Sequence, residues 1–429
     1  MEKIVSLCKR RGFIFPGSEI YGGFAGTWDY GHFGNEILNN IKNSWWEKFV
    51  SNREDMYGIR AAILMRQEVW QATGHAEHFA DPMVECEKCQ HRFRIDQIED
   101  KNNCADCGGK LGEARQFNMM FQTKVGASED SSAISYLRPE TAQGIFVNFK
   151  NIVDTHHPKI PFGIAQIGKA FRNEITPRDF IFRSREFEQM EIEYFVRENN
   201  WENAFNELKN EMHLWMSSVG IDMNKVHELE VVSEDLAHYS KRTVDFEFDY
   251  PFGRKELFGL AYRGDFDLKI HKLEYVDEEN SEKITPHVIE PSFGVERALL
   301  AILLSAYTED EMGGEVRIYL KLRPQIAPVL CAVSPLLKNK PELVSKSREV
   351  FSMLKKEFGR VAWDDNGNIG KRYRRQDEIG TPWCIVIDFD TLGENPELLD
   401  TVTIRDRDTG NQERIKISEL ISYIKNKLN

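Results

Sequence analysis

Four of the seven cysteines occur at a spacing that suits a metal ion. Cys86 and Cys89 form one C-x2-C pair, Cys104 and Cys107 form another, and fourteen residues separate the two pairs. Four thiolates surround one zinc ion tetrahedrally and leave no coordination position open. We therefore expect a structural zinc in a ribbon over residues 84–111. The alternative is a pair of disulfides, which a reducing compartment disfavours.

Arg172 and Glu174 form a second candidate site, on the first of two long strands predicted between Pro161 and Val196. Side chains two residues apart on a strand project from the same face. An arginine in this position would neutralise a phosphate during attack, and the carboxylate would accept the exocyclic amine of adenine. The pair therefore indicates a nucleotide site.

The second of these strands has two different faces. One face places an aromatic ring beside a cation and a carboxylate, through Arg185, Phe187, Gln189 and Glu191. This face indicates a nucleotide and amine site, although a surface ladder of cross-strand ion pairs is the alternative. The opposite face is apolar and typical of a core, with Met190, Ile192 and Tyr194.

Arg297 follows Gly294 at the predicted start of an apolar helix. Free backbone N–H groups and the helix dipole favour an anion in such a first turn. The position suits a second phosphate contact, although an arginine at a helix start is more often simply exposed.

The elements that must position these residues lack regular βαβ alternation. Long antiparallel strands mixed with helices indicate an α+β body. After Pro291, a short turn is expected to open into the apolar helix, which ends near Tyr307. Apolar spacing predicts further helices over Asn35–Val50 and Trp201–Val219, and strands over Ala61–Met65 and Thr243–Asp249.

The pattern changes near Leu322, where short strands begin to alternate with helices. This alternation predicts a compact α/β domain. We draw the boundary at Leu320–Pro324, which gives domains over residues 1–320 and 321–429. The expected strands are Val329–Val333, Val361–Trp363, Cys384–Ile387 and Thr401–Arg405, and the expected helices are Pro341–Phe358 and Asn368–Glu378.

Charge and hydropathy exclude two classes of protein. A net charge of −13 argues against a protein that coats nucleic acid without specificity. The longest strongly apolar run, Ala298–Leu304, is much shorter than the roughly 18 residues that suggest a membrane span, and the first residues lack the pattern of a secretory signal. We expect no membrane partner and a cytoplasmic location. Two basic clusters, Lys9–Arg11 and Lys371–Arg375, suit a solvated surface when considered alone.

Long stretches of the chain resemble the glycyl-tRNA synthetase family of class II aminoacyl-tRNA synthetases. The run FRNEITPRDFIFRSREFEQMEIEYF (171–195) is similar to motif 2 of that class, and GVER (294–297) is similar to motif 3. The stretches RPETAQGIF, FADPMV, IEPSFG and IFPGSEIYGG resemble the glycyl family in particular. The resemblance spans nearly the whole chain.

This resemblance implies a two-step reaction. Glycine and ATP form glycyl-adenylate and pyrophosphate, and glycine then moves to the 3′ end of tRNA(Gly). The resemblance also implies magnesium with the ATP and a homodimer, with motif 1 matching the helix Asn35–Val50 and a later strand that ends at Pro82. The C-terminal domain resembles an anticodon-binding domain, best in DNGNIGKRYRRQDEIGTPW, which favours a tRNA contact for the Lys371–Arg375 cluster.

The resemblance assigns ATP contacts to individual residues. Arg172 on the α-phosphate and Arg297 on the γ-phosphate would be catalytic. Glu174 would contact adenine, Phe187 would stack on it, and Glu256 would touch ATP or its magnesium. The implied ATP-binding set is Arg172, Asn173, Glu174, Phe182, Arg183, Ser184, Arg185, Glu186, Phe187, Glu256, Leu257, Gly294, Val295, Glu296 and Arg297.

The resemblance also implies a glycine subsite among carboxylates, matched by Glu140, Glu188 and Glu290, with Ser292 nearby and Arg66 as a further contact. The implied substrate-binding set is Arg66, Glu140, Phe187, Glu188, Gln189, Met190, Glu191, Glu290, Pro291, Ser292, Phe293 and Gly294.

Two alternatives to this function stay open. Another class II synthetase could share the C-terminal domain, but the RPETAQG and IEPSFG stretches favour glycine. A non-catalytic relative could keep the fold to bind nucleic acid. Such a protein has no need of Arg172, Glu174 and Arg297 together, so their joint presence favours an enzyme.

Overall fold

The computed structural model describes residues 1–127, 134–237, 239–277 and 281–428. The helices are α1 (Glu2–Arg11), α2 (His32–Trp46), α3 (Gln67–Ala72), α4 (His75–His78), α5 (Ala142–Phe146), α6 (Phe149–His156), α7 (Trp201–Ser218), α8 (Phe266–Ile270), α9 (Val295–Ala306), α10 (Pro341–Phe358), α11 (Ile369–Ile379) and α12 (Leu420–Leu428). The strands are β1 (Ile14–Pro16), β2 (Trp28–Tyr30), β3 (Met56–Gly58), β4 (Leu64–Met65), β5 (Ala80–Glu85), β6 (Arg92–Arg94), β7 (Arg115–Asn118), β8 (Phe121–Lys124), β9 (Ile134–Leu137), β10 (Phe162–Phe171), β11 (Glu186–Val196), β12 (Val226–Glu230), β13 (Arg242–Tyr250), β14 (Gly253–Gly264), β15 (Tyr275–Val276), β16 (Lys283–Ile284), β17 (His287–Gly294), β18 (Tyr307–Met312), β19 (Glu315–Leu320), β20 (Cys331–Pro335), β21 (Val361–Trp363), β22 (Trp383–Ile387), β23 (Thr401–Asp406) and β24 (Gln412–Lys416).

Seven strands form the central sheet, in the order β12-β13-β14-β17-β11-β10-β3. Neighbouring strands are antiparallel except for the edge strand β3, which is parallel to β10. One face packs against α2, α7 and α9, and the other face packs against α5, α6 and α8. The predicted antiparallel α+β body is therefore confirmed.

The pattern of β11 explains how these two layers arise. Met190, Ile192 and Tyr194 point into the core with α9, whereas Gln189 and Glu191 point to the opposite face. Helix α9 is apolar around most of its circumference, which suits a helix buried on several sides. The long strands therefore place one core on the side of α9, and on the opposite face they place the polar residues of the candidate site next to the smaller core with α5, α6 and α8.

Two predictions about the site strands need correction. Strand β10 ends at Phe171, so Arg172 and Glu174 lie in the following loop rather than on the strand. The predicted turn after Pro291 is wrong, because β17 continues to Gly294 and passes directly into α9. The sequence obscured β17 because proline lacks the N–H that a central strand normally donates.

The part of the chain matched to motif 1 also differs from expectation. Helix α2 is followed by β3, which joins the central sheet. Pro82 does not end a strand, because it lies inside β5 in a separate small sheet with β6 and β7. Within the expected strand Ala61–Met65, only β4 is extended and paired.

A five-stranded sheet forms the C-terminal region, in the order β21-β20-β22-β23-β24. Strands β21, β20 and β22 are parallel, and β23 and β24 extend the sheet in antiparallel fashion. The predicted strands and both predicted helices occur here with small shifts at their ends. Sequence analysis missed β24 and α12, which follow a polar turn.

Three buried charged residues join the hairpin β18–β19 to the C-terminal region. Arg317 pairs with Asp310 and Asp377, and Arg405 binds Asp377 through two hydrogen bonds of 2.8 and 3.0 Å. Asp377 and Arg317 are each about 1% exposed. The expected domain boundary at Leu320–Pro324 stays a prediction.

The Lys371–Arg375 cluster is less available than its composition suggests. Arg372 is buried and donates to the carbonyl oxygens of Pro335, Asp365 and Gly367. Arg375 pairs with Asp364. Two of its four basic residues, Arg372 and Arg375, therefore brace α11 and the turn before it. Separately, each helix within the described ranges is too short or too polar to cross a membrane.

Candidate active site

A cavity of about 270 Å³ has four walls, which are strand β11, strand β14, the loop that follows β10, and the junction of β17 with α9. The sequence-predicted residues that line it are Arg172, Glu174, Phe182, Arg183, Ser184, Phe187, Gln189, Glu256, Leu257, Ser292, Gly294, Glu296 and Arg297. Arg94 of the expected ribbon and Met119, between β7 and β8, line it as well. Strands distant in the chain thus bring both predicted phosphate-binding arginines to one cavity.

Arg172 is held at the wall of this cavity by a carbonyl oxygen and two rings. Its Nε donates to the carbonyl oxygen of Pro139 at 3.0 Å. Its guanidinium carbon lies 5.5 Å from the ring centroid of Phe79 and 5.3 Å from that of Phe187. These contacts restrict the guanidinium and leave further N–H donors for an anion.

Glu174 lies beside two arginines. Its side chain is buried and lies 3.4 Å from Nη1 of Arg183. Arg185 donates to the Glu174 carbonyl oxygen at 3.1 Å and to the Ala25 carbonyl oxygen at 2.7 Å. Arg185 therefore ties the amino-terminal loop to the loop that follows β10.

Arg297 occupies the first turn of α9, as expected. Its Nη1 lies 3.0 Å from Oε2 of Glu256, and its guanidinium stacks over Phe182 at 4.6 Å. Arg297 holds the pKa of Glu256 below its usual value. Asp245 lies on the neighbouring strand. Its burial is the main cause that raises its pKa to about 7, and repulsion from Glu256 and Glu247 adds to the rise.

A buried acidic cluster lies beside the cavity. Carboxylate oxygens of Glu191, Glu193 and Glu290 lie within 4.8 Å of one another. Glu140 lies 3.4 Å from Nε2 of His75 and accepts a hydrogen bond from Gln143 at 3.2 Å. Acidic side chains outnumber the cations here, so the cluster suits a cationic ligand.

Arg263 is the buried cation of this cluster. It donates to Asp267 at 2.7 and 2.8 Å and to Glu290 at 2.9 Å. Sequence analysis missed Arg263, Asp267 and Glu193. The alternation of β11 extends from Glu191 to Glu193 and offered a signal for Glu193. Arg263 lies on β14 and Asp267 on α8, so no single periodicity connects them.

The carboxyl groups of the cluster have different electrostatic environments. Burial, with repulsion from Glu191 and Glu140, raises the pKa of Glu290 to about 8, although Arg263 opposes the rise. Burial also raises the pKa of Glu191. Glu140 is different, because His75 and Arg263 overcome its burial and hold its pKa well below the usual value.

Glu191 is one of the two β11 carboxylates in the cluster, beside Glu193. It accepts hydrogen bonds from the hydroxyl groups of Thr141 and Ser292, the latter at 3.0 Å. Glu188 does not join it, because it points to the other face and pairs with Lys42 at 2.9 Å. The structure therefore does not bring Glu188 to the other expected glycine carboxylates, and its contact with glycine stays a prediction.

Several other expected contacts lie away from the cavity. Met190, Phe293 and Val295 are fully buried in the core, because the strand and helix pattern turns them from the site. Arg66 is exposed and pairs with Glu68, and Glu186 pairs with Lys169 at 3.1 Å. Asn173 donates its backbone N–H to Met119, and Pro291 is buried within β17.

The four patterned cysteines converge in the small sheet region. Their Sγ atoms lie within 4.8 Å of one another, and the Cys86–Cys107 and Cys89–Cys104 pairs are each 3.6 Å apart. Four sulfurs at about 2.3 Å from a tetrahedral zinc are about 3.8 Å apart, so the thiols fit the ion. All four are free thiols, and the disulfide alternative is not observed.

Comparisons with known proteins agree with this geometry. The model described as "tRNA synthetase class II core domain (G, H, P, S and T)" matches residues 121–306, and "Anticodon binding domain" matches residues 330–427. A glycine–tRNA ligase from Clostridium kluyveri is 48% identical and covers 100% of this chain and 98% of its own length. The glycine–tRNA ligase from Treponema denticola is 46% identical over 100% of this chain and 97% of its own.

A solved structure resembles the fold at low sequence identity. Giardia lamblia prolyl-tRNA synthetase in complex with prolyl-adenylate aligns with a TM-score of 0.71 and 16% identity, covering 99% of this chain and 78% of that one. This likeness concerns the fold alone.

Proposed function

Since the chain belongs to the glycine–tRNA ligase family of class II tRNA synthetases, we propose that the cavity between β11, β14 and β17 is where glycine reacts with ATP. The protein is an aminoacyl-tRNA ligase that charges tRNA with glycine. The observation that carries the assignment of the site is the convergence of Arg172 and Arg297 on one cavity beside a buried acidic cluster.

In the first step, two arginines neutralise the triphosphate. Arg172 contacts the α-phosphate, where charge develops as the glycine carboxylate attacks, and Arg297 contacts the γ-phosphate of the leaving pyrophosphate. Phe187 stacks on adenine and Glu174 accepts its exocyclic amine. The acceleration comes from positioning and from charge neutralisation by preorganised cations, without a covalent enzyme intermediate.

Glycine binds with its ammonium group among carboxylates. We assign this contact to Glu140, Glu191 and Glu290, with Ser292 alongside. These groups are buried, so their attraction for a cation is stronger than it would be in water. Selection by size follows, because the site accommodates glycine, the smallest amino acid, and its walls exclude larger side chains sterically.

Magnesium would be held by Glu256, with Asp245 on the adjacent strand. Gly259 lies between the two side chains: a Cβ atom at that position would be 3.8 Å from Glu256 Oε1 and 3.9 Å from Asp245 Oδ1. Carboxylate oxygens are the ligands that magnesium prefers. When bound, the ion would add positive charge beside the phosphates.

Zinc would occupy the four thiols of Cys86, Cys89, Cys104 and Cys107. The set has no open position, so its role would be to fix the ribbon. The ribbon lies near the cavity through Arg94, and we propose that it contacts the acceptor end of the tRNA. Deletion of the ribbon should then impair charging far more than activation, although it also removes Arg94 from the cavity wall.

We also propose a homodimer and a cytoplasmic location. Ile20, Tyr21 and Phe24 are strongly exposed apolar side chains between β1 and β2, and β2 leads directly to α2, the helix that resembles motif 1. A partner subunit would cover such a surface. The cytoplasm is proposed because the tRNA substrate is present there. Sedimentation at several concentrations tests the dimer.

The decisive experiment is amino-acid-dependent exchange of labelled pyrophosphate into ATP, run with each of the twenty amino acids. We expect exchange with glycine alone. Exchange with another amino acid would support the first alternative, and the absence of exchange in folded protein would support a non-catalytic nucleic-acid-binding relative.

A further inference from the structure

Glu193 is a buried carboxyl group of the acidic cluster that the proposed reaction leaves without a role. It follows Glu191 on the same face of β11 and is fully buried. The register pairs Glu191 with Ser292 and Tyr194 with Ile289, so Glu193 lies directly opposite Glu290 on β17. Like charges in directly opposite positions of neighbouring strands repel each other.

Neither carboxyl oxygen of Glu193 accepts a hydrogen bond from any residue in the described part of the chain. Its neighbours differ in this respect. Glu191 accepts from Thr141 and Ser292, and Glu290 accepts from Arg263. Glu193 is therefore the poorest candidate in the cluster to hold a negative charge.

The nearby cation does not compensate Glu193 directly. Arg263 donates Nε and Nη2 to Asp267 and Nη1 to Glu290. A planar guanidinium has its donors in fixed directions, so these bonds orient it towards the other two carboxylates. Glu193 thus lies within 4.8 Å of Glu290 and Glu191 and receives no hydrogen bond from Arg263.

A proton on Glu193 relieves this arrangement. An unpaired buried carboxylate is strongly disfavoured and takes up a proton instead. Burial and then Glu290 raise the pKa of Glu193 well above its usual value; Arg263 opposes the rise, while Glu191 and Asp267 add to it. A protonated carboxyl group also gains an O–H donor.

We propose that Glu193 is a positioning residue of the glycine subsite: a neutral carboxylic acid that donates a hydrogen bond to Glu191 or Glu290 and keeps those carboxylates directed at the substrate ammonium. The oxygens lie within 4.8 Å of one another, so a small side-chain rotation brings the O–H into bonding distance. This inference rests on the proposed glycine subsite.

The test compares two substitutions of similar size, Glu193→Gln and Glu193→Met. Glutamine is neutral and keeps an N–H donor, whereas methionine keeps the volume without a donor. In glycine-dependent exchange, E193Q should keep kcat and the KM for glycine within about threefold of wild type. E193M should raise the KM for glycine about tenfold, as expected for loss of a hydrogen bond to a charged group, with little change in the KM for ATP.

Glu191→Gln supplies the reference for a carboxylate that meets the ammonium, and it should raise the KM for glycine tenfold or more. Infrared difference spectra between wild type and E193Q should show the loss of one protonated-carboxyl band, because Glu290, whose pKa burial raises to about 8, contributes its own band to both proteins below that pH. An E193Q variant as impaired as E191Q would overturn the inference, because Glu193 would then act as an anion. An E193M variant equal to wild type would also overturn it, because Glu193 would then only fill space.

Failure of the proposed function gives a different result. In that case wild-type protein shows no glycine-dependent exchange, or E191Q leaves the KM for glycine unchanged. If wild type and E191Q behave as expected, the Glu193 variants test this inference alone. Both variants should show the wild-type KM for ATP, which reports that the cavity has folded.

Discussion

Arg297 and Glu256 form an ion pair of 3.0 Å across neighbouring elements of the cavity wall, and Arg297 also donates to the Glu256 carbonyl oxygen at 3.1 Å. The pair fixes the first turn of α9 against β14. It also places a cation and a carboxylate side by side, where one can meet a phosphate and the other a divalent ion.

Arg172→Ala should lower glycine-dependent exchange about 100- to 1000-fold in kcat, because a preorganised cation at the reacting phosphate is removed. The measurement is pyrophosphate exchange, with circular dichroism to check folding. Arg178→Ala is the control, since Arg178 pairs with Asp179 in the same loop and does not line the cavity. An Arg172→Ala enzyme with the wild-type rate would refute the assigned role.

Asp245→Asn should raise the magnesium concentration needed for half-maximal exchange severalfold, because a carboxylate ligand beside Glu256 is lost. Asp249→Asn, on the same strand but exposed and paired with His227 and Arg254, should leave that concentration unchanged. Equal magnesium requirements in the two variants would exclude Asp245 from the ion site.

The KM for glycine should fall as the pH rises from about 6 to 8. Burial raises the pKa of Glu290 to about 8, so this group is almost entirely neutral at pH 6 and about half ionised at pH 8. The anion attracts the ammonium, and binding at lower pH must release a proton. Glu290→Gln should flatten the pH profile at a raised KM; an unchanged profile would remove Glu290 from the subsite.

Purified protein should contain one zinc per chain, measured by elemental analysis. Cys104→Ser should lose the metal, because a hydroxyl group is a poor replacement for a thiolate. Cys8→Ala serves as the control, since Cys8 is buried in α1 far along the chain from the patterned four. Fully active protein with substoichiometric zinc would contradict a structural role for the ion.

Asp377→Ala should destabilise the protein by about 3–5 kcal/mol, because it leaves the buried Arg317 and Arg405 without their shared partner. Urea unfolding followed by tryptophan fluorescence measures the change. Glu378→Ala should cost much less, since Glu378 pairs with Arg10 and Arg11 closer to solvent. Similar losses of unfolding free energy in both variants would mean that burial adds nothing to the contribution of the Asp377 ion pairs.

Local patterns in the sequence were enough for part of the central sheet and for the position of Arg297 at a helix start. Strand alternation predicted β11 and β13, and helical spacing predicted α7, α10 and α11 closely. Arg297 was placed in the first turn of a helix because its apolar spacing begins there. These features depend on neighbours in the chain, so periodicity reveals them.

The missed features depend on pairing between distant segments. Arg263 and Glu290 meet only because β14 pairs with β17, which no local pattern indicates. Strand β17 was hidden by Pro291. The expectation that Glu188 contacts glycine rests on the family resemblance alone, because the alternation of β11 assigns Glu188 to the face opposite Glu191.

Strand β17 passes into α9 at Gly294 without an intervening loop, so Glu290, Ser292 and Arg297 belong to one continuous run of regular backbone. Covalent geometry and hydrogen-bonded secondary structure therefore fix the distance between the residues proposed to bind the glycine ammonium group and the arginine proposed to bind the γ-phosphate. A substrate that is displaced at one of these two proposed contacts loses its alignment at the other. The proposed site therefore selects by the distance between the ammonium group and the γ-phosphate as well as by the size of the side chain.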